Sequence, residues 1–351
     1  MDIVVAGAGV IGLAAARELA RRGAHVTVLE RARAGRGATW AAAGILSPTD
    51  PDEWAGGLGA FNADAIAQWP EWQAALAEET GLDTGFERRG ELRVGPPGDR
   101  FVEATREGAR LAGWACEGLD ADALRAAEPN LRAEGLEGVH LPGTAGVRTD
   151  ALVAALLASC AQLGVTVREG ATVGGVEPRA AVLDSGERVR ADRVVLAAGA
   201  WSAAFAFIRP AVRPVLGESL VLRARDVSRV PVRSSAGSVV PRSDGTYHVG
   251  TTMRERGFQS LPGVASVRRV LDNATRLFPL LDEAELVGAR SGLRPMSADG
   301  LPIIGPTGTA VVATGHGREG IIHAPATARL VARGVLDDDW SAVPEAFRPG
   351  R

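Results

Sequence analysis

Lysine is absent from this 351-residue chain, and all 39 basic residues are arginine. That lack excludes Schiff-base lysines, the Walker lysine and attachment of pyridoxal phosphate. Codon bias in a GC-rich genome accounts for the preference itself, but the exclusion stands. Cysteine is scarce: Cys116 and Cys160 lie far apart, without CxxC or Cys/His spacing. Neither a disulfide scaffold nor a zinc site is expected, and no metal site of another kind. No apolar run reaches about 18 residues, so a membrane span is not expected. Residues 1–6 enter a strand-like run without a basic flank, so a secretory signal is not expected either. The formal net charge of −3 gives no basic face for nucleic acid or an acidic membrane. The cytoplasm is the expected location. What remains is 46% hydrophobic and 23% charged, suited to one large or two coupled globular domains.

The opening "MDIVVAGAGVIGLAAARELARRGAHVTVLE" divides cleanly. Residues 2–6 read as a short strand buried in a parallel sheet. Residues 10–22 have the apolar spacing of a helix, and residues 25–29 form a second strand ending at Glu30. Between the first strand and the helix, Gly7, Gly9 and Gly12 form G-x-G-x-x-G. Gly7 permits the tight turn, Gly9 admits a pyrophosphate against the backbone, and Gly12 lets the helix pack closely on the strand. The helix N-terminus offers N–H groups and partial positive charge to that diphosphate. Glu30, 23 residues after Gly7, stands where an acid binds both hydroxyls of an adenosine ribose. That acid disfavours NADP but leaves NAD and FAD open.

Three later stretches bear on the choice. "GRGATWAAAGIL" (Gly35–Leu46) follows the second strand and is rich in small residues, readable also as the start of an Ala-rich helix. "DSGERVRADRVVLAAGAWS" holds a Ser-Gly turn and then a strand, Val194–Ala197, leading to Gly199. "VVATGHGREGIIHAPATARLVA" reads as a strand, a Gly-rich loop and a helix from about Ile321, with Pro325 expected in its first turn.

Together these segments resemble the D-amino-acid oxidase family of flavoenzymes, most closely its glycine-oxidase branch. The resemblance rests on G-x-G-x-x-G through Glu30, A-T-x-A-A-A-G-I-L, A-A-G-A-W-S, G-L-R-P-x-S-x-D-G-x-P-I-I-G and G-H-x-R-x-G-I, in family order. It implies an α/β fold: a Rossmann-like FAD-binding domain interleaved with an antiparallel-sheet substrate domain. It also implies noncovalent FAD, with the diphosphate on Gly9, Val10 and Ile11 and the adenosine ribose on Glu30 and Arg31. Ala38, Thr39, Ala43, Gly44 and Ile45 would approach the flavin, Val173 the adenine, and Gly199 and Trp201 would join them. The loop of Gly315, His316, Gly317, Arg318, Glu319 and Gly320, with Ile321, would border the isoalloxazine ring. A helix N-terminus there would stabilise the negative charge of reduced flavin.

In this family the arginine of G-L-R-P pairs with the substrate carboxylate, which falls on Arg294. A planar guanidinium orients a carboxylate as well as holding it. Arg318 would assist or line the same site, and His316 would pack or border the flavin rather than act as a base. The implied reaction oxidises an amine: hydride leaves the substrate Cα for flavin N5, and water hydrolyses the resulting imine. The products would be a 2-oxo acid, ammonia or an amine, and hydrogen peroxide formed from O2. No Ser/His/Asp triad or carboxylate pair is needed, because the cofactor carries the chemistry.

There are departures from the family pattern. Relatives with a lysine near the flavin, or a C-terminal cysteine that attaches it, find no counterpart here. Where glycine-oxidase-like relatives carry a pocket tyrosine, this chain has Ser238, with Met253 a second pocket candidate. The lone tyrosine, Tyr247, lies on the next strand, and either it or Trp40 could fill the space. Ser238 otherwise favours amines larger than glycine. Two rival readings follow: an oxidase or dehydrogenase of specialised metabolism acting on a glycine unit within a larger molecule, and a non-enzymatic dinucleotide-binding sensor. Arg294 argues against the sensor. The expected plan assigns residues 1–80, 140–205 and 285–351 to the FAD domain, and 81–139 and 206–284 to the substrate domain. Homo-oligomerisation is left open.

Overall fold

A computed structural model describes residues 1–47 and 57–351. Residues 48–56, within the first expected FAD segment, lie outside the described residues. Asp2–Ala6, helix Val10–Arg21 and His25–Glu30 form as the opening spacing predicts. They build a six-stranded sheet in the order Ile303–Pro306, Val311–Thr314, Arg193–Leu196, Asp2–Ala6, His25–Glu30, Thr166–Glu169. All its pairings are parallel except the edge pair Ile303–Pro306 with Val311–Thr314.

Alternation in the first strand sorts the two faces. Ile3 and Val5 enter a core with helices Val10–Arg21, Leu58–Thr80, Thr149–Gln162 and Gly320–Asp337. Val4 and Ala6 face a small antiparallel sheet of Val173–Glu177, Ala180–Leu183 and Arg188–Arg190. Both faces of the parallel sheet are therefore covered, as its unbroken apolar strands require.

A second sheet has eight strands, ordered Glu285–Ser297, Val212–Arg223, Thr246–Gly250, Gly237–Pro241, Val232–Ser234, Leu92–Gly95, Glu137–His140, Glu117–Leu119. It is antiparallel except where Val232–Ser234 runs parallel to Leu92–Gly95. Helix Val264–Leu277 packs on one face through Val270 and Ala274, with Leu220, Leu222, Val239 and Val249 in the same core.

The structure differs from the sequence reading in two places. Glu285–Ser297 is an edge strand of the large sheet rather than part of the final FAD segment, because it pairs along its length with Val212–Arg223. Pro325 sits a turn deeper in helix Gly320–Asp337 than expected. Beside the carbonyl it leaves without an N–H, Trp69 Nε1 donates to the Ile322 carbonyl at 3.0 Å. Helix Leu58–Thr80, which the sequence reading did not treat, runs through Pro70.

Candidate functional site: a two-ended cleft

The cleft has a volume of about 940 Å³ and runs over the carboxyl ends of the parallel strands onto the large sheet. That is where open α/β sheets bind ligands. At its dinucleotide end, Gly7 has φ of +109°, and a Cβ there would meet the Ala197 carbonyl oxygen at 2.4 Å. A Cβ on Gly12 would lie 1.9 Å from the Gly7 carbonyl oxygen, so strand and helix touch backbone to backbone. Gly9, Val10 and Ile11 line the cleft at the helix N-terminus, while Gly12 and Gly315, expected at the cofactor, are not among the lining residues. The Val10 N–H donates to Thr39 Oγ1 at 3.1 Å, which ties the phosphate-type loop to the short helix Ala38–Ala41.

Glu30 is held in place by the chain itself. Its Oε2 accepts from the Ala8 N–H at 2.8 Å and its Oε1 from the Ala32 N–H at 3.0 Å. Each carboxylate oxygen keeps a further lone pair for a ribose hydroxyl. Arg31 lies over the Trp201 ring at 4.2 Å, so these two residues form one wall together. Val173, Gly199, Ala38, Ala43, Gly44 and Ile45 also line the cleft. Orphan N–H groups at a helix N-terminus, a cradle that a Cβ would fill and an anchored acid together suit FAD. Gly9 to Ile11 would hold its diphosphate and Glu30 its ribose.

At the other end, Gly317, Arg318, Glu319, Gly320 and Ile321 lead into helix Gly320–Asp337. His316 lines the cleft but is buried, and its Nε2 is 3.0 Å from Thr327 Oγ1. Burial pushes its pKa down to about 3, so it stays neutral and packs as expected. His248, which sequence reasoning did not single out, is also held near 3, first by burial and then by Arg242 and Arg290. Its Nε2 lies 3.2 Å from the Ala41 carbonyl oxygen.

Arg294 extends over a bare stretch of sheet. A Cβ on Gly217 would lie 2.2 Å from Arg294 Nη1. Arg294 Nη1 donates to the Thr252 carbonyl oxygen and Nη2 to Thr251 Oγ1, each at 3.0 Å. Each Nη carries a second N–H, so the fork remains able to grip a carboxylate. Burial, then repulsion from Arg318, lowers its pKa to about 10, with Glu319 opposing, and it remains a cation at neutral pH. Behind it, Glu218 Oε2 accepts from Thr252 Oγ1 at 2.7 Å and Oε1 from the Gly263 N–H at 2.7 Å. This buried carboxylate fixes the loop that orients the guanidinium.

Ser238 lines the cleft, and its Oγ donates to the Gly250 carbonyl oxygen at 3.3 Å. Neither proposed substitute fills its space. Tyr247 is buried in the large sheet's core, its hydroxyl accepting from the Val227 N–H at 3.0 Å. Trp40 is clamped between Arg36 at 3.6 Å and Arg290 at 3.8 Å. Met253 is not brought into the site: it is 52% exposed and outside the cleft lining. Thr252, its neighbour, turns inward to Glu218, so Met253 faces out. Sequence reasoning missed Arg93 and Arg233, which line the cleft from strands whose other buried residues are apolar. Two cationic side chains breaking an apolar strand pattern were the available signal.

No group of three or more potential metal-ligating side chains occurs among the described residues, and no helix there is long and apolar enough to cross a membrane. Cys116 and Cys160 are both free.

The family described as FAD dependent oxidoreductase matches residues 2–333. Glycine oxidase from Pseudomonas aeruginosa is 34% identical, over 94% of this chain and 93% of its own. Glycine oxidase from Geobacillus kaustophilus is 32% identical, over 94% and 92%. A crystal structure of glycine oxidase from Geobacillus kaustophilus superposes with a TM-score of 0.91 and 30% identity, covering 100% of this chain and 98% of that one. This chain belongs to the family of FAD-dependent oxidoreductases, and it is an FAD-dependent amino-acid oxidase.

Proposed function

We propose that the enzyme oxidises the amine of glycine or of a related small or N-substituted amino acid. The 2-oxo acid, ammonia or an amine, and hydrogen peroxide would be the products, with O2 as acceptor. The observation that carries this reading is the half-buried Arg294 guanidinium, laid on the glycine floor of the cleft that also holds the dinucleotide loops. Arg294 grips the substrate carboxylate, and the Thr251, Thr252 and Glu218 contacts fix the direction of its fork. Fixing the carboxylate aims the Cα hydrogen, and orientation of this kind supplies much of a rate enhancement. FAD, when bound, supplies the hydride acceptor. His316, neutral and turned to Thr327, is not placed as a base. The open space beside Ser238 supports amines larger than glycine.

The test is product stoichiometry. Oxygen consumed should equal peroxide formed and 2-oxo acid released, with ammonia from primary amines and the substituent amine from N-substituted ones. Turnover with dye acceptors and no peroxide would make it a dehydrogenase instead.

A further inference from the structure

Arg233 lines the same cleft as Arg294 but belongs to a different part of the large sheet. It sits on Val232–Ser234, in register with Ser238 on the neighbouring antiparallel strand and with Arg93 on the parallel one. Residues in register point to one face, so Arg233 and the short Ser238 side chain look into the cleft together.

One edge of the Arg233 guanidinium is spoken for. Its Nη1 donates to Glu91 Oε1 at 3.2 Å and to Ser47 Oγ at 3.4 Å. Glu91 is fully buried and also accepts from Arg93 Nε at 3.1 Å. The other edge, Nη2 and Nε, makes no hydrogen bond among the described residues, and the side chain keeps 23% exposure. Burial and the neighbouring Arg93 push the guanidinium below its ordinary range. Arg318 repels both Arg233 and Arg294, so the charges share one volume. A desolvated guanidinium with one edge fixed and the other open is built to receive an anion.

We propose that Arg233 binds a second acidic group on the substrate, so that the preferred substrates are amino acids carrying two acids, the first held by Arg294. The inference rests on reading the cleft as an amino-acid oxidase site. Ser238 supplies the room: a larger side chain in register with Arg233 would stand between the guanidinium and the substrate. The second acid is borne either on the amine nitrogen or on the Cα side chain, and two pairs of compounds separate these cases.

The experiment compares kcat/KM of the flavin-loaded enzyme for compounds matched in size but not in charge. N-(carboxymethyl)glycine is set against N-(carbamoylmethyl)glycine, and D-glutamate against D-glutamine. In at least one pair the diacid should lead by about tenfold or more, since charge-assisted hydrogen bonds are the strong ones. Arg233→Gln should bring that ratio within about threefold, and Arg233→Lys should fall between, because ammonium keeps charge but loses the fork. Equal or better turnover of the amide in both pairs of the unmodified enzyme overturns the inference, even if Arg233→Gln does not fold. An unchanged ratio in a folded Arg233→Gln protein also overturns it. Competition by glutarate against glutaramate, read from flavin fluorescence, needs no turnover. If no amino acid reduces the flavin, the oxidase reading fails, and glutarate binding no tighter than glutaramate then overturns the second-acid site as well.

Discussion

At the scale of single residues the account turns on Arg294 and Ser238. Arg294→Ala should keep FAD, since Arg294 belongs to strand Glu285–Ser297 and not to the Gly7–Gly12 loop, but lose about two orders of magnitude or more in kcat/KM for carboxylate substrates. Removing one partner of a buried charged pair typically costs about 3–5 kcal/mol, and each 1.4 is tenfold. Arg294→Lys should rescue only part of the loss. Near-normal turnover in the alanine protein would place the carboxylate elsewhere. Ser238→Tyr should shift preference toward glycine by refilling the cleft, because neither Tyr247 nor Trp40 reaches it. If glycine already leads every larger amine by about tenfold in the unmodified enzyme, the gap beside Ser238 has no role in selection. Arg294 was legible in sequence because it stands inside a distinctive motif. Arg233 was not: a cation interrupting a short apolar strand is the one local sign of it, and only strand register brings it beside Ser238.

Among elements, the strand–helix contact at the start of the chain makes the sharpest claim. A Cβ at position 12 would collide with the Gly7 carbonyl at 1.9 Å, against backbone that cannot rotate away. Gly12→Ala should therefore lower stability by about 1–3 kcal/mol, the usual cost of overpacking, and reduce bound flavin as the helix N-terminus shifts. Thermal unfolding and flavin content per chain would check it, and unchanged values in both would show that the contact is not needed. The βαβ unit was readable because spacing, glycines and the terminal acid agree over thirty residues. Helix Leu58–Thr80 was not, since Pro70 reads as a stop. Tertiary packing overrides that signal, with Trp69 fully buried and bonded to helix Gly320–Asp337. The placement of Glu285–Ser297 was missed for a related reason. Motif order locates Arg294 along the chain, but sheet membership depends on a partner some seventy residues earlier.

For the whole molecule, buried neutral histidines set a pH dependence. His248 and His316 are held near 3 in the folded protein against an ordinary 6.5, and His323 is also well below its ordinary value. As pH falls below 6.5 the unfolded chain takes up protons that the folded chain refuses, so stability is complete above that pH and drains away below it. Each such histidine opposes folding by about 1.4 kcal/mol per pH unit in that window. The melting temperature should be nearly level above pH 7 and fall steadily from pH 6.5 to 5, whereas a level profile down to pH 5 would mean that these side chains reach water. The central claim spans both ends of the cleft: the dinucleotide loops and Arg294 serve one reaction on an amino acid. Anaerobic mixing of the purified flavoprotein with glycine, sarcosine and larger N-substituted glycines tests it most directly. The account predicts that the visible flavin absorbance bleaches with at least one of them, returns on admitting air with peroxide formed, and fails to bleach at comparable speed in Arg294→Ala. A flavin that stays oxidised with every amino acid offered would contradict it.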